Sequence, residues 1–206
     1  MDIRAISSRV SYIFYCFVLL HLLAILALTS GCKDKASYKE EITRSGIPYS
    51  IDSFLNEAAA GNKERIELFI RAGMDVNAKG NDGNTALVMA SVNDNGEVVK
   101  LLMENGADVN TKDTHGYTAL MSVTSGGNVA IAKLLIREKA DVNARNNDGE
   151  TALMLASLHG DFEMAKLLIE NGADVAAKSI KGKTALQYSF LDTRMAELLR
   201  KAGARE

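Results

Sequence analysis

Tryptophan is absent from these 206 residues, proline occurs once, at Pro48, and aromatic residues make up 6%. A chain so poor in helix breakers and ring mass is suited to helices packed through aliphatic side chains. Cysteine occurs twice, at Cys16 and Cys32, which excludes a small disulfide-stapled scaffold. A surplus of one charge is missing too: 24 Lys and Arg against 26 Asp and Glu leave a formal net charge of −2. That balance excludes a strongly basic nucleic-acid binder. What is present, 47% apolar and 24% charged residues, is the ordinary mixture of a globular protein and not of a disordered one.

The longest uncharged run lies at the start. Arg4 and Arg9 precede Val10 to Thr29, a stretch without Asp, Glu, Lys or Arg, and Ser30, Gly31 and Cys32 follow before Lys33, Asp34 and Lys35. A basic start, an apolar centre and small residues before a polar break form the layout of an export signal. The same run is also long enough to span a bilayer uncleaved. Leu28-Thr29-Ser30-Gly31-Cys32 resembles a bacterial lipobox, with Thr29 where that family prefers Leu and Leu28 one place early. The resemblance implies a signal peptide over 1–31, removed before Cys32, and acyl chains on the Cys32 thiol and its new amine. A Cys32 so modified leaves no thiol for a disulfide, a metal or a nucleophile. At about 0.8 kcal/mol per buried CH₂, several chains would hold the protein at a membrane. Lys33 stands where an Asp would favour the inner membrane in enteric-type bacteria, so the resemblance leans to the outer membrane, facing the periplasm. Residues 32–49 are expected to be the lipidated Cys and a flexible polar tether spanning about 20–25 Å.

The body repeats. Gly83, Gly116, Gly149 and Gly182 are spaced by 33, and Thr-Ala-Leu follows each of them from Thr85, Thr118, Thr151 and Thr184. Asp75, Asp108, Asp141 and Asp174 keep the same period, as do Val76, Val109, Val142 and Val175. Within each unit Thr sits where a first helix begins, a good N-cap. The second helix reads Val98-Val99-Lys100-Leu101-Leu102 and its equivalents at Ile131 and Met164, a buried stripe with Lys outward. These residues resemble the ankyrin repeat, with Ala86, Ala119, Ala152 and Ala185 in place of the usual Pro. The resemblance implies an all-α solenoid of helix-turn-helix units with hairpin loops over 50–206. Five repeats fit, the first and last as polar caps, with Arg65 and Arg200 at positions that are apolar elsewhere. Gly106 and Gly172 occupy helix ends that favour positive φ; Lys139 takes that place in the third repeat, a candidate weak point.

Catalysis has no foothold in the pattern. His115 and His159 lie in different repeats, and no HExxH, P-loop or GxSxG occurs. No cofactor, metal or nucleic acid is expected, and the recurring Asp side chains are expected to bond the backbone. The cations Lys79, Lys112, Arg145 and Lys178 recur with the repeat. They form either a strip for an acidic partner surface or an exposed position that tolerates Lys. The family resemblance implies a protein partner held by hairpin tips and the exposed side of the first helices. By position these are Asn81, Asp82 and Asn84 with Val92 and Asn93; Thr114, His115 and Tyr117 with Ser125; Asn147, Asp148 and Glu150 with Leu158 and His159; and Ile180, Lys181 and Lys183. Tyr117 is the leading contact candidate, and Leu158 either an anchor or packing against a neighbouring helix. The expected molecule is a monomeric, membrane-anchored, non-enzymatic interaction scaffold of a bacterial cell envelope. The alternatives are an envelope spacer without a specific partner and a secreted effector acting on host proteins.

Overall fold

The computed structural model describes residues 33–190 and 192–205. The expected signal peptide over 1–31 and the lipidation residue Cys32 lie outside the described residues. A single helix, α1 (Lys35–Arg44), precedes five helix pairs. These are α2 (Ile51–Ala59) with α3 (Lys63–Arg71), α4 (Ala86–Val92) with α5 (Gly96–Glu104), and α6 (Ala119–Gly126) with α7 (Val129–Arg137). Then come α8 (Ala152–His159) with α9 (Phe162–Glu170), and α10 (Ala185–Tyr188) with α11 (Thr193–Lys201). The first helices of the pairs pack in one row, α2 on α4 on α6 on α8 on α10, and the second helices in another. This is the all-α repeat solenoid that the resemblance implies.

Local chemistry explains each unit. Thr85, Thr118 and Thr151 accept hydrogen bonds from the backbone N–H of Val88, Met121 and Met154, each at 3.4 Å. Asn128, Asp161 and Asp192 cap second helices in the same way. Each cap satisfies a donor that the helix itself cannot. Leu87, Leu120 and Leu153 from the first helices and Leu102, Leu135 and Leu168 from the second are all buried. Each contributes about 1.5–3 kcal/mol by leaving water. Because they recur with the repeat, each unit supplies one layer of a continuous core.

Side chains also staple one unit to the next. The Asn77, Asn110 and Asn143 amides each accept from the N–H of Asp108, Asp141 and Asp174 at 2.8 Å. They donate in turn to the carbonyls of Gly106, Lys139 and Gly172. Asp75, Asp108, Asp141 and Asp174 each accept from the backbone N–H two residues on, at 2.9 Å. The aspartate ladder is therefore backbone bracing. The asparagine series ends at Ala176, so the last unit lacks this staple.

Lys139 has φ +65°, where Gly106 and Gly172 have +87°. A side chain held in the left-handed region costs on the order of 1 kcal/mol. Lys139→Gly is therefore expected to stabilise the fold by roughly 0.5–1 kcal/mol, read as a raised urea midpoint. A lowered midpoint would show that the lysine stem contributes more than the strain takes away.

The expected flexible tether is corrected by the structure. Most of 33–49 is folded: Asp34 caps α1 by accepting from the Ser37 N–H at 2.8 Å, and α1 lies against α3. Ile42 is buried, and Tyr38, Ile47 and Tyr49 pack on the core. The Tyr49 ring stacks on Phe69 with centroids 5.7 Å apart, its hydroxyl donates to the Ala72 carbonyl at 3.3 Å, and Lys39 Nζ stands 4.6 Å from its ring centre. The physical reason is the end of the stack. Phe69 on α3 has no earlier repeat to cover it, and a few apolar residues in a polar segment do so. The folded body thus includes Asp34 to Tyr49 and does not start at 50.

Candidate protein-binding face

The hairpins between repeats are closed by backbone bonds: Gly80 N–H to Asn84 O, Asp113 to Tyr117, Asn146 to Glu150 and Ser179 to Lys183, all at 2.9–3.0 Å. Each hairpin bonds to the next through Thr114 N–H to Asp82 O, Asn147 N–H to His115 O and Ile180 N–H to Asp148 O. The tips therefore form a continuous edge beside the row of first helices. Between edge and row runs an open groove. One stretch, of about 500 Å³, is lined by Asp52, Leu55, Asn56, Gly80, Asn81, Asp82 and Met89. The next, of about 370 Å³, is lined by Asn84, Val88, Met89, Val92, Asn93, Asp113, His115, Tyr117 and Ser122.

The sequence candidates separate into groups here. Asn81, Asp82, Asn84, Asn93, His115, Tyr117 and Val92 meet in this groove. Tyr117 is half-buried and packs on the core, while Val92 leaves 52% of its surface exposed. Leu158 and Ile180 are exposed, at 43% and 75%. Leu158 is therefore not consumed by packing against its neighbours. Thr114, Asn147, Asp148, His159 and Lys181 are exposed along the same edge. Thr114 Oγ1 donates to Asp82 O at 2.9 Å and Asn147 Nδ2 to Thr114 O at 3.0 Å, so these two side chains also bind the hairpins together. Ser125 donates to the Met121 carbonyl within its own helix. Asp52, Leu55, Val88, Met89 and Asp113 were missed by sequence reasoning. Val88 and Met89 share spacing with the core residues around them, and the first unit has no hairpin of its own to mark Asp52.

The basic ladder and Glu150 also have partners inside the protein. Lys79 Nζ donates to the Lys112 carbonyl at 3.0 Å, Lys112 Nζ to the Arg145 carbonyl at 2.8 Å, and Arg145 Nη2 to the Lys178 carbonyl. Each of these three cations reaches the main chain one repeat on, and among the described residues no later hairpin stands opposite Lys178. The basic ladder thus ties repeats together while its side chains stay exposed. Glu150 accepts from the Tyr188 hydroxyl at 2.7 Å and from Asn146 Nδ2 at 3.1 Å, joining the fourth unit to the fifth.

The Glu150 carboxylate and, secondarily, burial push the Tyr188 phenol above its ordinary pKa. A phenol whose pKa is raised by folding adds stability below the unfolded value of about 10, and that stability is lost as pH rises through the raised value. Tyr188→Phe is accordingly expected to lower the urea midpoint near neutral pH and to make its decline above about pH 10 shallower. Parallel curves for the parent and Tyr188→Phe would show that the phenol does not sense folding.

His115 and His159 are both exposed and in different repeats. Among the described residues no group of three His, Cys, Asp or Glu is placed to hold a metal ion, and no helix is long and apolar enough to cross a membrane. The outward side of the second helices is ion-paired, with Glu97 held below the usual carboxylate range by Lys100 and Lys63.

Comparison with curated proteins finds no match. Comparison with protein-family models matches ankyrin repeats in three copies, over residues 48–113, 110–179 and 147–205. Proteins built from such arrays are typically non-enzymatic modules that bind other proteins. With the matched segments running from 48 to 205, well over half of its length, the chain belongs to the ankyrin-repeat family.

Proposed function

We propose that this protein is a lipid-anchored docking module of a bacterial envelope, which captures one partner protein in the groove between its hairpin tips and first helices. The observation that carries the docking reading is the groove itself. Val92, Met89 and Tyr117 give it an apolar floor beside a polar edge already braced by its own hydrogen bonds. Preformed, braced surfaces bind with little ordering cost. The anchoring half rests on the lipobox-like residues Leu28 to Cys32 and the charge-free run before them. Only Lys33 and Asp34 lie between Cys32 and α1. The three chain steps from Cys32 to Lys35 span at most about 10 Å, so an acylated Cys32 would hold the capped end of the array close to the bilayer. The outer membrane, with the array facing the periplasm, is the location this reading favours.

Two measurements test it. Growth with a radiolabelled fatty acid is expected to label the parent and not Cys32→Ala; equal labelling of both removes the anchor. A photo-crosslinker at position 117 is expected to trap one protein in living cells, and to lose it when Val92 is also replaced by Ser. Trapping indifferent to Val92 removes the groove as the docking face.

A further inference from the structure

Charge is shared unevenly along the array. Residues 177–205 carry seven Lys and Arg against Asp192 and Glu197, a net +5, whereas 33–176 carry 15 against 22, a net −7. The last unit is a basic pole on an acidic body. Among the described residues no ion pair engages Lys178, Lys181, Lys183, Lys201 or Arg205. The two most exposed large apolar side chains among the described residues stand at the same pole, Ile180 at 75% and Phe190 at 71%. Ile180 holds the hairpin place that Asn81, Thr114 and Asn147 fill in earlier units. Thr114 and Asn147 bond back to the preceding hairpin, which an isoleucine side chain cannot do. Phe190 follows α10 with φ +42°, a region that bulky residues rarely enter. Neither backbone preference nor burial therefore accounts for a phenyl ring in water at this point. Lys183 links the two: its carbonyl accepts from the Ser179 N–H at 2.9 Å, closing the Ile180 hairpin, and its ammonium lies 5.9 Å from the Phe190 ring centre.

We propose that this pole is a second membrane contact, at which Ile180 and Phe190 enter the interface of a bilayer with anionic headgroups and Lys178, Lys181 and Lys183 meet the headgroup phosphates. Shape and charge together select this occupant. Two apolar side chains that stand out from the end of the stack would need a separate pit each in a rigid protein partner. A bilayer interface yields to both. The lysine stems lie along the apolar surface while their ammonium groups stay at headgroup level. The same surface repels the acidic body, so its field turns the pole toward it. The inference rests on the anchoring half of the reading above and adds an orientation to it. Cys32 precedes α1, at the opposite end of the array. Four steps between five helix pairs, at about 8–10 Å each, put the two contacts about 30–40 Å apart. With both engaged, the array lies along the bilayer instead of standing away from it.

The chain has no tryptophan, so Ile180→Trp and Phe190→Trp each report on the pole alone. The full chain is floated on vesicles of phosphatidylcholine and on vesicles of an equimolar mixture with phosphatidylglycerol. On the mixed vesicles both variants are expected to emit about 10 nm to the blue of their emission on phosphatidylcholine, and to be quenched by lipids brominated along the acyl chain. Lys133→Trp, exposed on α7 in the middle of the array, is expected to emit alike on both. Adding Lys178→Gln, Lys181→Gln and Lys183→Gln to Ile180→Trp is expected to abolish the shift, because glutamine keeps a long stem without the charge. Equal emission of the pole variants on the two vesicles, a shift that survives the triple change, or an equal shift of Lys133→Trp overturns the proposal. A shift with soluble polyglutamate and none on the mixed vesicles assigns the pole to an acidic protein and overturns the bilayer. A chain that floats on both vesicles without a shift loses the second contact and keeps the anchor. A chain that floats on neither loses both.

Discussion

Gly116→Ala is expected to destabilise the protein by about 3 kcal/mol, and Gly182→Ala by only about 1 kcal/mol, although the two glycines hold the same place in their hairpins, with Gly149 in the hairpin between them. Both backbones are left-handed, with φ +81° and +73°. An alanine in that region costs about 1–2 kcal/mol at either site. The difference lies in what the new methyl group meets. At Gly116 it would stand 2.8 Å from the Asn147 main-chain nitrogen and 3.1 Å from the Asn146 carbonyl carbon. Those atoms belong to the next hairpin, which is held by the bond from Asn147 N–H to His115 O. Main chain cannot turn aside as a long side chain can, so the hairpins must separate, and overpacking of this kind costs about 1–3 kcal/mol. At Gly182 nothing lies within 4 Å, and no further hairpin stacks on it among the described residues. Urea unfolding of the parent and the two variants measures the difference directly. Equal losses would show that the hairpin edge is loose in solution, and with it the braced surface on which the docking reading depends.

The same comparison shows what was legible in the sequence. A residue that contacts its own counterpart one unit later leaves a periodic trace, and such traces were readable. Asp75, Asp108, Asp141 and Asp174 brace the backbone, and Lys139 takes up the strained φ that its glycine counterparts imply. The lysine ladder was readable as a ladder and not as a staple. Its acceptors are main-chain carbonyls, which every residue carries and no sequence marks. The groove was half legible. Hairpin tips and Tyr117 follow from position, whereas Met89 and Asp52 look like an ordinary helix residue and an ordinary first-turn acid until the next unit is set beside them. Helix α1 was not legible at all. Tyr38, Ile42, Ile47 and Tyr49 keep no helical spacing as a set, and their shared partner surface belongs to α3.

Phe69→Ala is the change that tests this cap, with an expected loss of about 3–5 kcal/mol. Phe69 is fully buried. Its ring touches Phe54 of α2 at a centroid distance of 5.6 Å and Tyr49 at 5.7 Å, so it joins both the first repeat and the segment after α1. Removing it leaves a cavity with aromatic walls that cannot collapse without moving three elements. The loss should also be local in its consequence. An end unit has one neighbour instead of two, and arrays melt as sums of unit and interface terms. Hydrogen exchange is therefore expected to reach the amides of α1, α2 and α3 first, while α6 to α9 keep the protection of the parent. Tyr49→Ala should reproduce the pattern with a smaller loss, because Tyr49 is only half-buried. Exchange in α1 that is already fast in the parent, with Phe69→Ala behaving as a surface substitution, would return residues 33–49 to the role of a loose tether.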